Sequence, residues 1–197
     1  MTIPNPDGDV ADVRVRPEEA ADHEAVRELH RAAFGDHGDV VAALVDDLRA
    51  SAPREHRLSL VADVGGSVVG HILFSPALLD APRRLVNVQT LSPLAVLPRL
   101  QRRGLGAALI RAGLDVMADR GVPLVFLEGD PRYYGRFGFT AGADLGFRRP
   151  SLRIPEAAFQ AVALPAYESW MTGTFVYPDV FWRHDAVGLR APAPSQP

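Results

Sequence analysis

The sequence predicts an α/β fold: one domain around a mixed, mostly antiparallel central sheet flanked by helices. Two observations predict it. Strand-like runs succeed one another from Leu58 to Leu97 with no helical stretch between them. Their pairing is therefore antiparallel, because parallel neighbours need a long crossover. Helical patterns lie on either side of this block, and a further apolar run over 123–127 follows the later one. A chain of 197 residues, 47% apolar and 23% charged, is enough for one such domain with a substantial core.

Residues 1–11, with Pro4, Pro6 and Gly8, read as a flexible leader, and the domain is expected over 12–190. Residues 13–16 alternate valine and arginine, a short strand. Pro17 suits a first helical position and Glu18 and Glu19 a first turn. A helix is expected from there to about Phe34, with Val26, Leu29 and Ala33 inward and Gly35 as its stop. Asp36-His37-Gly38-Asp39 reads as a polar loop, mobile at Gly35 and Gly38. A second helix over 40–50 turns Val41, Leu44, Val45 and Leu48 inward. Residues 58–64 and 68–74 form a hairpin on Gly65-Gly66. Residues 85–96 are the next strand, and Pro93 within it marks a bulge or an unpaired edge, because proline brings no N–H to the ladder.

A third helix runs to about Arg120 with two adjacent apolar stripes: Leu105, Leu109, Ala112 and Val116, then Ile110, Leu114 and Met117. Gly121 and Pro123 end it. A buried strand over 123–127 and a short helix from Asp130 or Pro131 to near Phe137 follow. Beyond Gly138, residues 139–147 read as extended, 155–159 as a helical turn, and 159–164 and 173–177 as strands. The part from about 150 forms a C-terminal extension, and 191–197 reads as a flexible tail.

Composition excludes several chemistries. The chain has no cysteine, hence no disulfide, thiolate metal site or cysteine acyl-enzyme. All 21 of its basic residues are arginine, so Schiff-base catalysis and a Walker-A loop are excluded too. The net charge of −3 provides no global field for nucleic acid. No apolar run approaches a membrane span, and 1–12 lacks the basic and apolar regions of a secretory signal, so a cytoplasmic location is expected. Six scattered histidines have no ligand spacing, and no metal is expected.

The chemistry is concentrated at the start of the third helix. The apolar run Leu94-Ala95-Val96 is closed by Pro98 and followed by Gln101-Arg102-Arg103-Gly104-Leu105-Gly106-Ala107. Gly104 and Gly106 let a ligand approach the backbone, and the first helical amides have no intrahelical partner. The dipole and the arginines favour an anion there, so the turn reads as a pyrophosphate cradle. A dinucleotide-binding G-x-G-x-x-G turn is one reading, with Glu128 as its ribose-binding acid. Leu109 stands at its third glycine position, however, and the glycines lie well beyond the strand end. The pattern Q-x-x-G-x-G resembles the cofactor turn of the GNAT acetyltransferase superfamily. The second motif, Tyr134-Gly135-Arg136-Phe137-Gly138-Phe139, resembles that family's Tyr-x-x-x-Gly-Phe element at the expected place. The wider stretch from Gly129 to Phe139, Gly70 to Pro76, and Tyr177 to Phe181 are similar to its YhbS-like branch. The resemblance covers roughly 12–185.

The resemblance implies a sheet with splayed parallel strands at the cofactor site and acetyl transfer from acetyl-CoA to an amine. It implies that Leu94, Ala95 and Val96 border the pantetheine and that Gln101, Arg102, Arg103, Gly104, Leu105, Gly106 and Ala107 hold the pyrophosphate. Tyr134 matches the family's acid for the departing thiolate. The base is a departure: Thr90, Leu91 and Ser92 stand where some relatives have a glutamate, and Leu127 stands where many have an asparagine. Glu128, Asp130 and His71 are the available substitutes, beside a water relay. Tyr133 reads as packing, His71 as a hydrogen-bonded structural histidine, Glu128 as a cap of the short helix and Arg136 as an exposed arginine or a phosphate contact. Trp170, Phe175, Phe181 and Trp182 read as core or pocket lining. Asp36, His37 and Asp39, between the first two helices, border the acceptor side in this fold, as a solvated loop or as an attractor of a cationic amine. The expected partners are an amine acceptor and at most a second copy in a homodimer, with neither nucleic acid nor membrane. A non-catalytic acyl-CoA sensor is the alternative within the same fold.

Overall fold

The computed structural model describes residues 2–4 and 10–190. The tail expected over 191–197 lies outside them. Part of the 1–11 leader is strand: β1 (Thr2–Pro4) pairs antiparallel with the start of β2 (Val10–Pro17). The helices α1 (His23–Phe34) and α2 (Gly38–Ser51) follow. Strands β3 (Leu58–Val64), β4 (Ser67–Asp80) and β5 (Leu85–Val96) come next, then α3 (Leu105–Asp119) and β6 (Leu124–Glu128). The short α4 (Pro131–Tyr134) is followed by β7 (Thr140–Ala141), β8 (Phe147–Arg148), β9 (Phe159–Ala163), β10 (Gly173–Val176) and α5 (Asp179–Arg183).

The strands run in the order β1-β2-β3-β4-β5-β6-β9-β7, with β10 on the far end of β4 and β8 beside β10. Pairing is antiparallel except at β5–β6 and the two-residue contact β8–β10. The β3–β4 hairpin turns on Gly65 and Gly66 at φ 59° and 85°, the left-handed conformations that a two-residue turn of this hand requires. Opposite Leu73, β5 carries Ser92 and Pro93 between the partners of Phe74 and Ile72. That is the bulge the proline predicts.

Two apolar layers cover the sheet. On one face Leu44 and Leu48 of α2 and Val180 and Phe181 of α5 pack with Leu73, Leu79, Phe126 and Phe175. On the other, Leu105, Leu109, Ile110 and Met117 of α3 pack with Ile72, Phe74, Leu91, Val125 and Leu127. A Cβ on Gly70 would stand 3.1 Å from Leu109, and one on Gly113 would stand 2.3 Å from the Phe74 ring. The bulk of Leu109, which the sequence sets against a dinucleotide turn, is thus accommodated by a glycine on the strand.

Several expectations need correction. The first helix does not open at Pro17, which ends β2. Glu18 is buried in an ion pair with Arg49 of α2, so its partner is a tertiary cation and not a helix end. Asp36-His37-Gly38-Asp39 is not a free loop. A 3-10 turn over Gly35–His37 leads directly into α2 at Gly38, where a Cβ would stand 2.6 Å from the Arg31 backbone. Gly38 therefore serves close helix contact. Residues 139–147 are mostly turn, and α5 has no counterpart in the expected elements.

Candidate active site

The site begins where β5 and β6 part. They pair only through Gln89–Val125 and Thr90–Phe126. Beyond that, β5 continues against β4 up to Gly70–Val96, while β6 continues against β9. Leu97 donates to Val69 at 3.0 Å. By antiparallel alternation Ala95 bonds toward β4, and the amides of Leu94 and Val96 point to the open side. Val96 accepts a hydrogen bond from Gln101 Nε2 at 3.2 Å, which ties the turn to the strand end.

The turn itself uses two left-handed residues, Arg102 at φ 60° and Gly104 at φ 87°, and Gly104 caps α3. A cleft of about 660 Å³ opens over this helix end. Of the expected cofactor residues, Leu94, Val96, Gln101, Arg102, Gly104, Leu105, Gly106 and Ala107 line it; Ala95 and Arg103 do not. Ala95 instead points to the opposite face, beside His71. The structure adds Leu100, Asp130, Arg132, Tyr133 and Arg136. Asp130, not Glu128, caps α4, accepting from the Arg132 amide at 2.9 Å. The Arg136 guanidinium lies 4.6 Å over the Tyr133 ring, within the cleft lining.

The two tyrosines are placed differently from their sequence reading. Tyr133 lines the cleft, and its hydroxyl would be 2.5 Å from a Cβ on Gly106. Tyr134 does not line it. Its ring covers Gly129 and meets Phe139 edge-on at 5.9 Å. Burial, and then Tyr133 beside it, hold the Tyr134 phenol in its protonated form well past the ordinary range.

Asp36, His37 and Asp39 are exposed and none lines the cleft. Asp39 accepts from Arg31 Nε at 2.7 Å, which offsets its charge. Phe175 and Phe181 are core, Trp170 is part-buried under Arg83 and Arg84, and Trp182 is 41% exposed.

His71 is fully buried in a chain of polar groups. Arg49 pairs with Glu18; Ser59 Oγ donates to Glu18 Oε2 at 2.6 Å; His71 Nε2 lies 2.8 Å from Ser59 Oγ; His30 Nε2 lies 2.8 Å from His71 Nδ1. The Glu18 carboxylate sets the direction: each group donates toward it, so His71 carries its proton on Nε2 and His30 on Nε2. Burial, more than any neighbour, lowers the pKa of His71 to about 3 and of His30 to about 2. His71 is thereby the hydrogen-bonded structural histidine and not a base. Its partners lie up to 41 residues away, so no spacing in the sequence announces them.

Among the described residues no three acidic or histidine side chains cluster as metal ligands, and no helix is long and apolar enough to cross a membrane. A mostly antiparallel sheet that opens at one parallel pair beside a basic helix N-terminus is the architecture of an acetyltransferase. A model of the Acetyltransferase (GNAT) domain matches residues 14–142. The uncharacterized N-acetyltransferase YjhQ of Escherichia coli K12 is 36% identical over 159 residues, which cover 78% of this chain and 85% of that protein. The crystal structure of the GNAT family N-acetyltransferase YhbS of Escherichia coli in complex with CoA aligns with a TM-score of 0.77 at 32% identity, over 88% of this chain and 93% of that one. A GNAT family acetyltransferase from Brucella melitensis in complex with acetyl-CoA aligns with a TM-score of 0.69 at 32% identity, over 86% and 98% of the two chains. The chain belongs to the GNAT family of N-acetyltransferases.

Proposed function

We propose that this protein transfers an acetyl group from acetyl-CoA to an amine of a small molecule or peptide by direct attack. The observation that carries the reading is the cleft at the α3 N-terminus, where unpaired helical amides, Arg102, Arg132 and Arg136 face one opening. The relatives from Escherichia coli and Brucella melitensis were crystallised with CoA and acetyl-CoA, which supports the same ligand here. The residues fit it: Gly106 lets the Tyr133 hydroxyl and the helix end close up at the cleft floor, where a Cβ would stand 2.5 Å from that hydroxyl, and the arginines oppose phosphate charge.

Acetyl-CoA supplies an activated thioester. The chain has three tasks around it. The amine must lose a proton before it can attack, since an alkylammonium has a pKa of about 10. The oxyanion needs a preorganised donor, and the outward amides of Leu94 and Val96 are the donors we assign to it. The sulfur needs a proton as it leaves, and Tyr134 is the residue the family pattern assigns to it.

Gly106 has helical backbone, so Gly106→Val keeps the turn while its side chain pushes the Tyr133 hydroxyl into the cleft. Calorimetry should show wild type binding acetyl-CoA and the variant binding it at least about tenfold more weakly, a loss of about 1.4 kcal/mol. Equal affinity in a variant with native circular dichroism sinks the placement. Binding without CoA release, whatever amine is offered, identifies an acyl-CoA sensor.

A further inference from the structure

We propose, resting on the acetyl-transfer reading, that Glu128 is the proton acceptor for the incoming amine, held at the β5–β6 opening by Tyr177 and Gly188. Glu128 stands on β6 two residues past the last β5–β6 pair, Thr90–Phe126. Strand alternation puts its side chain on the face of Phe126, opposite Leu127. The cleft lies on the α3 face of the opening and Glu128 on the opposite face, the side we assign to the incoming amine. It is only partly buried, so the carboxylate is neither sealed nor dispersed in water.

Its surroundings are built. Tyr177 Oη donates to Oε1 at 2.9 Å, and the Gly188 amide donates to Oε2 at 3.1 Å. Each oxygen keeps a lone pair. Gly188 sits at φ 64°, and a Cβ there would be 2.5 Å from the Arg153 backbone. Only glycine brings that amide to Glu128. The Thr90 hydroxyl is buried beside Tyr177 without a hydrogen-bond partner of ordinary geometry, which joins this cluster to β5. Among the described residues no arginine pairs with Glu128. The cation whose charge reaches it is Arg153, and Arg153 donates to Asp185 at 2.9 Å. Burial raises the Glu128 pKa above the ordinary carboxylate value, against the pull of Tyr177, Gly188 and Arg153. A carboxylate shifted in that direction takes up a proton more readily near neutral pH.

The step balances. Glu128 takes one proton from the ammonium form of the acceptor. The freed nitrogen pair forms a C–N bond to the thioester carbonyl carbon, and the C–S bond breaks. The second N–H proton leaves with the sulfur, directly or through a tyrosine. The products are an amide and a free thiol, and the proton on Glu128 returns to solvent. Tyr177 is a positioning residue, acting through the carboxylate.

The test measures CoA release with spermidine, an aminoglycoside and a short peptide bearing a free N-terminus. Glu128→Gln should lower kcat/KM about 10²-fold at pH 7.5 and leave acetyl-CoA affinity unchanged by calorimetry. The deficit should shrink towards pH 10, where the amine is neutral without help. Tyr177→Phe removes a donor to the carboxylate and should shift the acidic limb of the pH profile upward. Wild-type kcat/KM and profile in Glu128→Gln overturn the proposal. A second reading needs no acceptor: the Glu128 carboxyl carbon, labelled with 13C and assigned by its loss in Glu128→Gln, should move when acetyl-CoA is added. An unmoved resonance in a protein that binds acetyl-CoA also overturns it. Failure of wild type to bind acetyl-CoA overturns the acetyl-transfer reading instead.

Discussion

Tyr133 and Tyr134 are adjacent, yet their surroundings differ in a way that decides what each can do. Tyr133 borders the cleft beside Gly106 and under Arg136, whereas Tyr134 is packed over Gly129. A proton donor to the leaving sulfur needs its hydroxyl at the reacting atom, and the ring body is free to be buried. We expect Tyr134→Phe to lower kcat about 10²-fold with acetyl-CoA affinity nearly unchanged. We expect Tyr133→Phe to weaken acetyl-CoA binding and spare kcat. Both follow from CoA-release kinetics beside calorimetry. The opposite pattern assigns the proton to Tyr133, the residue that touches the cleft.

At the scale of elements, α3 is held against the sheet by glycines on both partners. Gly70 on β4 admits Leu109, and Gly113 on α3 admits Phe74. Helix and sheet therefore approach closely, and the helix end that lines the cleft is set by packing one to two turns away. Gly113→Ala places a methyl group 2.3 Å from the Phe74 ring, which is 0% exposed and has little room to turn. Overpacking of this kind costs about 1–3 kcal/mol, more than the helical propensity of alanine returns. Urea melts should show that loss. A neutral or stabilising substitution means that the Phe74 ring moves freely and that the contact does not position α3.

For the whole molecule, the Glu18-Ser59-His71-His30 chain joins the residue that follows β2 to β3, β4, α1 and, through Arg49, α2. Both histidines have folded pKa values, about 2 and about 3, below the unfolded value near 6.5. The unfolded chain takes up protons first as pH falls. The stability of the neutral pair is complete above about pH 6.5 and is lost as pH falls toward those folded values, by up to about 1.4 kcal/mol per pH unit for each histidine. Melting temperatures should therefore drop steeply from pH 6.5 to 4. His30→Asn keeps a donor for His71 and removes one titrating group, so its drop should be shallower. Parallel curves rule out the pair as the source.

The sequence by itself determined the fold class, the β3–β4 hairpin, an irregularity at Pro93 that the register then showed to be a bulge, and the turn over 101–106 with its helix. Each rests on chemistry within a few residues: a glycine pair at φ > 0, a missing N–H, a strand end followed by uncapped amides. It determined the family for the same reason, since Gln101 to Gly106 and Tyr134 to Phe139 are local patterns. It misplaced the start of α1 because Glu18 carries the charge of a first turn but answers to Arg49, 31 residues away. Only the tertiary structure decided that Tyr133 lines the cleft, that His71 is locked in a neutral chain, and that Tyr177 and Gly188 meet Glu128 across 49 and 60 residues. Contacts of that span leave no period in the sequence. They depend on strand parity and on where a returning chain crosses the sheet, and these exist only once the core has packed.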